Sequence, residues 1–222
     1  MVSASIKSTE IRFGECNKKL LEEVIFYGIS LGADFVELFI ENSDNSSVLA
    51  EEDFITSVSP SFGKGAGIRI FKDKRDGFVS TNDLSKHGLM RSISQAIEML
   101  DICEKTNHPI FNGLNKLKNY SDSKIDWLKD SPSINEISEK LLLSTKSLKK
   151  DKKVVVRKGS YSRNWQEVII ASSDGTYATD IRLHQTIGLN IIANDAQYRS
   201  NGSRRYGSHG MPNEFKLWDH EK

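Results

Sequence analysis

The chain has 222 residues, of which 37% are hydrophobic and 27% charged, with four prolines and a formal net charge of +1. This balance can bury a core in one large domain or two small ones, and it excludes collagen-like, membrane-spanning and wholly disordered classes. Charge is unevenly laid out, since residues 1–60 carry four Lys/Arg against eleven Asp/Glu and the remainder carries 27 against 19.

No stretch approaches the ~18 apolar residues that a membrane span requires, and the first ten residues hold no apolar core of signal-peptide length. The expectation is a cytoplasmic protein, with Cys16 and Cys103 as free thiols of a reducing compartment and a disulfide between them as the alternative. The N-x-S matches at Asn45, Asn119 and Asn201 are then chance.

Residues 18–31 predict a helix, because Leu20, Leu21, Val24, Ile25 and Gly28 recur at helical spacing and Gly32 supplies a stop. Residues 35–41 switch to period two, with Val36, Leu38 and Ile40 on one side and Glu37 and Glu41 on the other, a strand with one wetter face. Strand-like runs follow at 47–51, 54–58, 66–71 and 77–81, separated by Asn/Asp/Ser, by Pro60 with Gly63, and by residues 73–76. Such short spacings predict an antiparallel meander. Asp83 and Ser85 can cap a second helix whose stripe is Leu89, Ile93, Ala96, Ile97 and Leu100. The fold class is therefore α+β, antiparallel sheets with flanking helices, rather than doubly wound.

Residues 101–130 have weak periodicity and an isolated Trp127, and predict a long connection packed against a domain surface. Ser133-Ile134-Asn135-Glu136 fits a capping box and predicts a helix with Ile137, Leu141, Leu142 and Leu148 facing inward. Residues 154–162, 167–172, 176–182 and 186–196 form a second strand series, either a second sheet or an extension of the first. Asp174-Gly175 is its hairpin-turn signal. After Gln197 the sequence is Arg-, Gly- and Ser-rich without a period, with Phe215, Leu217 and Trp218 near the end. The expected organisation is an amino-terminal α/β domain with a mixed or antiparallel sheet over 1–101 and a connection over 102–132. A helix and second meander over 133–198 come next, in the same domain or another, and then a flexible tail over 199–222.

Gly63, Gly65 and Gly67 lack the G-K-[ST] of a phosphate loop, and Ile68 stands where a dinucleotide fingerprint needs glycine. A bend between strands remains, with glycine placed for positive φ or for close approach of another backbone. Arg69 points away from Ile68 and Ile70, and its guanidinium either clamps a peptide carboxylate or pairs with Asp76 or Asp83. Ser80, Thr81, Asn82 and Asp83 either present groups to a substrate strand or form an ordinary strand exit and helix cap.

His184 and His209 are separate candidates for ligand or acid–base roles, set against structural or merely exposed ones. Residues 146–163 hold eight basic residues and one acid, Asp151, a run that suits phosphates or an acidic partner but reads more simply as a solvated helix end and loop. Arg199, Arg204 and Arg205 with Tyr198 and Tyr206 would suit single-stranded nucleic acid, which the balanced net charge disfavours. A flexible glycine-flanked loop lining an enzyme cavity is the simpler reading.

Four segments together resemble the TldD/PmbA family, also called modulators of DNA gyrase. They are Gly32-Ala33-Asp34-Phe35-Val36-Glu37-Leu38-Phe39, Gly63-Lys64-Gly65-Ala66-Gly67-Ile68-Arg69-Ile70, Gly77-Phe78-Val79-Ser80-Thr81-Asn82-Asp83-Leu84 and the Ser173-Asp174-Gly175 hairpin. Their order and spacing carry the resemblance, and the acidic stretch 37–52 is closer to the TldD branch. It implies an amino-terminal α/β domain followed by a β-rich carboxy-terminal domain, and a zinc metallopeptidase site built around H-E-x-x-x-H. It also implies peptide substrates and a dimer of related subunits.

No H-E-x-x-x-H occurs here: His87, His108, His184 and His209 are each followed by a residue other than Glu, and His220-Glu221 by Lys222 alone. Zinc-assisted peptide hydrolysis takes about three protein ligands and a carboxylate base, two of the ligands commonly at helical i, i+4 spacing. The chain is accordingly expected to hold no catalytic residue, no metal ligand and no cofactor of its own, with zinc belonging to the complete family enzyme. Trp218-Asp219-His220-Glu221 reads as the lead-in to the family's metal helix, so the sequence resembles a truncated member.

The expected role is a substrate-guiding and dimer-scaffold region, with Arg69, Ser80, Thr81, Asn82 and Asp83 as substrate-binding candidates. The alternatives are a stand-alone binding subunit that pairs with a complete TldD/PmbA partner, and a weak nucleic-acid binder. Expected partners are a homologous subunit, in a homo- or heterodimer, and an extended peptide, with no membrane and nucleic acid disfavoured.

Overall fold

The computed structural model describes residues 16–100, 110–117, 131–195 and 197–209. Three α-helices, α1 (Lys18–Ser30), α2 (Lys86–Met99) and α3 (Ile134–Ser147), accompany seven strands. The strands are β1 (Phe35–Glu51), β2 (Phe54–Lys72), β3 (Arg75–Thr81), β4 (Asn115–Lys116), β5 (Val154–Ser172), β6 (Thr176–Asn194) and β7 (Arg199–His209). Their order in the sheet is β3-β2-β1-β5-β6-β4, with β7 also pairing β6. The second strand series thus extends the first sheet. β2 and β3 run antiparallel, as do β6 and β7, whereas β4 joins β6 in parallel. The architecture is the α+β one that the sequence predicts.

Each helix starts where a side chain can cap it. Asn17 accepts from the Leu20 amide at 3.0 Å, and Ser85 from Gly88 at 3.1 Å. Ser133 and Glu136 close the predicted capping box, with bonds of 3.2 and 2.7 Å. Helix α1 stops at Gly32, whose φ of 103° is left-handed. The β5–β6 turn uses Gly175 at φ 98°, while Asp174 accepts from the Ser172 hydroxyl and the Thr176 amide. These two bonds, the Ser172 one first, hold the Asp174 carboxyl below the usual range.

The chain divides into two compact units, residues 1–43, 63–122 and 167–181 in one, and 44–62, 123–166 and 182–222 in the other. Both are discontinuous because β1, β2, β5 and β6 each supply residues to both. In the first unit Leu21, Val24 and Ile25 of α1 and Leu89 and Ile93 of α2 pack with Leu38, Ile40, Ile68 and Ile70 of the sheet. Each is fully buried, and each such side chain contributes about 1.5–3 kcal/mol. Cys16 is buried, and its thiol donates to the Leu84 carbonyl at 3.2 Å. In the second unit Ile137 and Leu141 of α3 cover Val48, Ala50, Tyr161 and Ile187. Burial pushes the Tyr161 hydroxyl up to about 12, and it donates to Gln185 at 2.8 Å.

Three expectations change. The short strands before and after residues 42–46, and before and after Pro60 and Gly63, are single strands of 17 and 19 residues rather than separate ones. Residues 199–209, expected within a flexible tail, form β7, paired residue by residue with β6 from Asn194↔Arg199 to His184↔His209. The basic run is not simply solvated, because Arg157 is 4% exposed. Most of the expected connection, with Cys103 and Trp127, lies outside the described residues, as do residues 210–222. Residues 110–117 pack on the first unit, where Leu114 is buried and its amide donates to Glu22 at 3.0 Å. Among the described residues no helix is long and apolar enough to cross a membrane.

Arg157 is the node of the second unit. Its Nε and Nη2 donate to Glu52 at 2.9 and 2.5 Å, its Nη1 to the Thr145 carbonyl at 3.1 Å and to Asp53 at 3.4 Å. Its backbone amide also donates to Glu52, at 2.9 Å, and that bond, ahead of the guanidinium, holds the Glu52 carboxyl below the usual range. Arg157→Met strips donors from the buried Thr145 carbonyl and from both carboxylates, and is expected to lower unfolding free energy by about 2–3 kcal/mol, read as a lower urea midpoint. An unchanged midpoint would show that the cluster contributes nothing. Because the folded carboxyl titrates below its unfolded value, its contribution is complete above about pH 4.3 and fades as pH falls through the lower folded value. Glu52→Gln is therefore expected to flatten the loss of stability with acid, and an identical acid slope would refute this linkage.

Candidate functional site

A groove of about 340 Å³ opens on the sheet of the first unit, lined by residues of β1, β2 and β3 and by Asn82 just beyond β3. Glycine makes it possible. A Cβ on Gly65 would stand 2.9 Å from Asn82 Oδ1 and 3.0 Å from the Thr81 carbonyl oxygen, and one on Gly67 2.9 Å from the Phe78 ring. Neither glycine has a positive φ, so close approach and not backbone freedom is the reason for both. Gly63 obeys the same rule against the Ser43 hydroxyl, at 2.8 Å. The Phe39 and Phe78 rings are 38% and 61% exposed and line the groove with Glu41 and Lys64.

Ser80, Thr81 and Asn82 line this groove. Arg69 and Asp83 do not. Arg69 pairs with Asp76 at 3.2 Å and lies 4.5 Å over the Phe71 ring, the local alternative foreseen for it. Asp83 accepts from the Ser85 amide at 3.1 Å and leads into α2; its bonds to Ser85 hold its carboxyl below the usual range. Phe39, Phe78 and Glu41 line the groove as well, and sequence reasoning did not single them out as candidates. Their signal was the wetter side of the period-two patterns, where an exposed aromatic beside glycine marks a lined surface.

A second concavity, of about 660 Å³, lies in the second unit, where Lys158 and Ser160 of β5 and Asn190 of β6 face Ser203 and Arg205 of β7. Gly188 keeps it open, since a Cβ there would meet Ser160 Oγ at 2.9 Å. The two histidines read as separate candidates meet in this unit. His184 and His209 are cross-strand partners, with Nδ1 atoms 3.2 Å apart and ring centres 4.4 Å apart. Among the described residues no group of three or more His, Cys, Asp or Glu is placed to hold a metal ion, so the donors described do not fit a zinc-peptidase centre. His108 and His220 lie outside the described residues.

The basic run meets the acidic stretch of its own chain. Lys158 pairs with Glu51 at 3.3 Å, Lys149 with Asp53 at 3.8 Å and Arg163 with Asp44 at 3.6 Å, beside the Arg157 cluster. Charge set against charge in this way leaves less of the run for phosphates.

Two family descriptions match the chain: PmbA/TldA metallopeptidase domain 1 over residues 36–100, and the PmbA/TldA metallopeptidase central domain over residues 127–222. The chain is similar to metalloprotease TldD homologues of Buchnera aphidicola, at 23% identity over 82% of this chain, and Haemophilus influenzae, at 24% over 83%. It spans 37% of the length of each of these curated relatives. In fold it is similar to TldE of Thermococcus kodakarensis, with a TM-score of 0.69 at 21% identity over 85% of this chain and 42% of that one. A Thermotoga maritima protein assigned as a modulator of a DNA gyrase has the same score at 15% identity, over 91% and 45%. With both family domains matched in order across the resemblance first carried by four short motifs, the chain belongs to the TldD/PmbA family.

Proposed function

We propose that this chain is the amino-terminal, substrate-guiding and dimer-scaffold region of a TldD-like zinc-dependent metallopeptidase and cleaves nothing by itself. The observation that carries this reading is the match to the family's first and central domains in a sequence without H-E-x-x-x-H. The groove supports it. Among the described residues β3 pairs with β2 alone, so its outer edge can take an extended peptide by strand addition. Ser80, Thr81 and Asn82 then offer hydrogen bonds near the strand end, while Phe78 receives an apolar side chain. Arg69 and Asp83 flank that path and keep their local partners.

A partner from the same family is suggested by the names of the relatives, which include both TldD and TldE. The second reading, a stand-alone subunit that contributes interface and no metal to a complete partner, rests on the same names. The two readings share a surface and differ in whether the gene encodes a metal-binding domain beyond residue 222.

Incubated with an unstructured peptide in zinc buffer, the chain is expected to leave it intact, and mixed with a complete TldD-type subunit it is expected to co-elute on size exclusion. Chelator-sensitive cleavage by the chain alone would overturn the non-catalytic reading, and separate elution would remove the scaffold role. For the groove, Phe78→Ala and Asn82→Ala are each expected to weaken binding of a fluorescent extended peptide by about five- to tenfold, the equivalent of one modest contact. Unchanged affinity in both variants would place the peptide elsewhere.

A further inference from the structure

His184 lies on β6 and His209 on β7, 25 residues apart in sequence and directly opposite in the ladder. Both are exposed, and neither belongs to the groove of the first unit. We propose that His184 and His209 form a two-histidine site for a divalent transition metal, Zn²⁺ foremost, that clips β7 to β6.

The spacing is the argument. A tetrahedral Zn²⁺ with Zn–N bonds of about 2.0–2.1 Å holds two ligand nitrogens roughly 3.3–3.4 Å apart. The Nδ1 atoms stand at 3.2 Å without a metal, a separation that one N–H donated between neutral rings also satisfies. The ring planes are inclined by 38°, and the ring centres, at 4.4 Å, need a modest spread for both lone pairs to converge on one ion. Exposure of both side chains allows that rotation. The backbone does the rest: an antiparallel register fixes the two Cα positions before any metal arrives, so little ordering is left for binding to impose.

Imidazole selects Zn²⁺, Cu²⁺ and Ni²⁺ over Mg²⁺ and Ca²⁺. No third protein donor completes the site among the described residues, so water fills the remaining positions. The site is therefore one of binding and stabilisation, weaker than a four-ligand structural centre. It has something to stabilise, because β7 is exposed along almost its whole length and is held by its ladder with β6. A metal that binds the folded chain and not the unfolded one raises its melting temperature by mass action.

This site does not rest on the peptide-guiding role, since its readout is metal binding and not cleavage. Chelator-treated chain titrated with ZnCl₂ in a calorimeter is expected to bind one equivalent and to melt at a higher temperature with the metal than without. His184→Gln and His209→Gln are each expected to weaken binding by at least about tenfold, while His87→Gln, on α2, leaves it unchanged. With Cu²⁺ as probe, electron paramagnetic resonance should show hyperfine coupling from two imidazole nitrogens, which a fold defect in one variant could not mimic. Absence of saturable binding, binding retained in the double variant, or coupling from fewer than two nitrogens would each overturn the proposal.

Discussion

One buried cation organises the second unit. Arg157 comes from a lysine-rich run that would otherwise be solvent-facing, and it is taken inside only because Glu52, Asp53 and the Thr145 carbonyl are all there to receive it. A guanidinium buried without such partners would cost several kcal/mol. The cluster ties three elements that no apolar contact could fix so specifically: the β1–β2 turn, the last turn of α3 and the start of β5. Glu52 itself sits at φ 56°, a left-handed conformation that a non-glycine residue adopts at some cost, and its bonds to Arg157 offset that cost. The neighbouring ion pairs of Lys158 and Lys149 repeat the theme at the surface, where each is worth far less, while the Arg163–Asp44 pair is largely buried. The uneven charge of the sequence is thus largely an internal match between two stretches, rather than the imprint of an external polyanion.

The range of the forces involved decides which features the sequence disclosed and which it hid. Caps and turns are local, so Ser133 with Glu136, Ser85 and Asp174-Gly175 could be read directly and stand as read. Strand length is not local. Residues 42–46 are polar and look like a loop, yet they remain extended because neighbouring strands supply their hydrogen bonds. Pro60 and Gly63 look like breakers, and glycine there instead marks where a side chain leaves no room for a Cβ. β7 is the extreme case: an Arg-, Gly- and Ser-rich segment with no buried face has no period to detect, and only its register with β6 makes it a strand. The histidine pair was hidden for the same reason, since nothing but that register brings residues 184 and 209 together.

The candidate site shows the same division. Arg69 had two readings, and the nearer partner won: Asp76 lies across a tight turn, so pairing with it costs little chain ordering. Ser80, Thr81 and Asn82 were singled out because strand exits expose polar groups, and the structure sets them in a groove with aromatic rings and glycines. Asp83 stands at the strand exit as read, but it serves the start of α2 through Ser85. Absence of H-E-x-x-x-H was legible outright, being a statement about sequence alone.

The exposed strands β3 and β7 differ in the charge they would present to an added strand. An exposed strand with free backbone groups invites pairing with any extended chain, and proteins commonly guard such edges with charge. β7 carries Arg199, Arg204 and Arg205 along eleven mostly exposed residues, so a second copy of the same strand would meet like charges, while a neutral peptide would find no apolar wall on that strand beyond Tyr206. β3 is shorter, at seven residues, with Arg75 and Asp76 of opposite sign at its start and Phe78, Ser80 and Thr81 beyond them. Charge there is balanced, and the groove begins where the charge ends. A peptide added along β3 would keep its backbone in the ladder and place alternate side chains beside Phe78, the geometry in which main-chain bonds supply affinity and side-chain contacts supply selection.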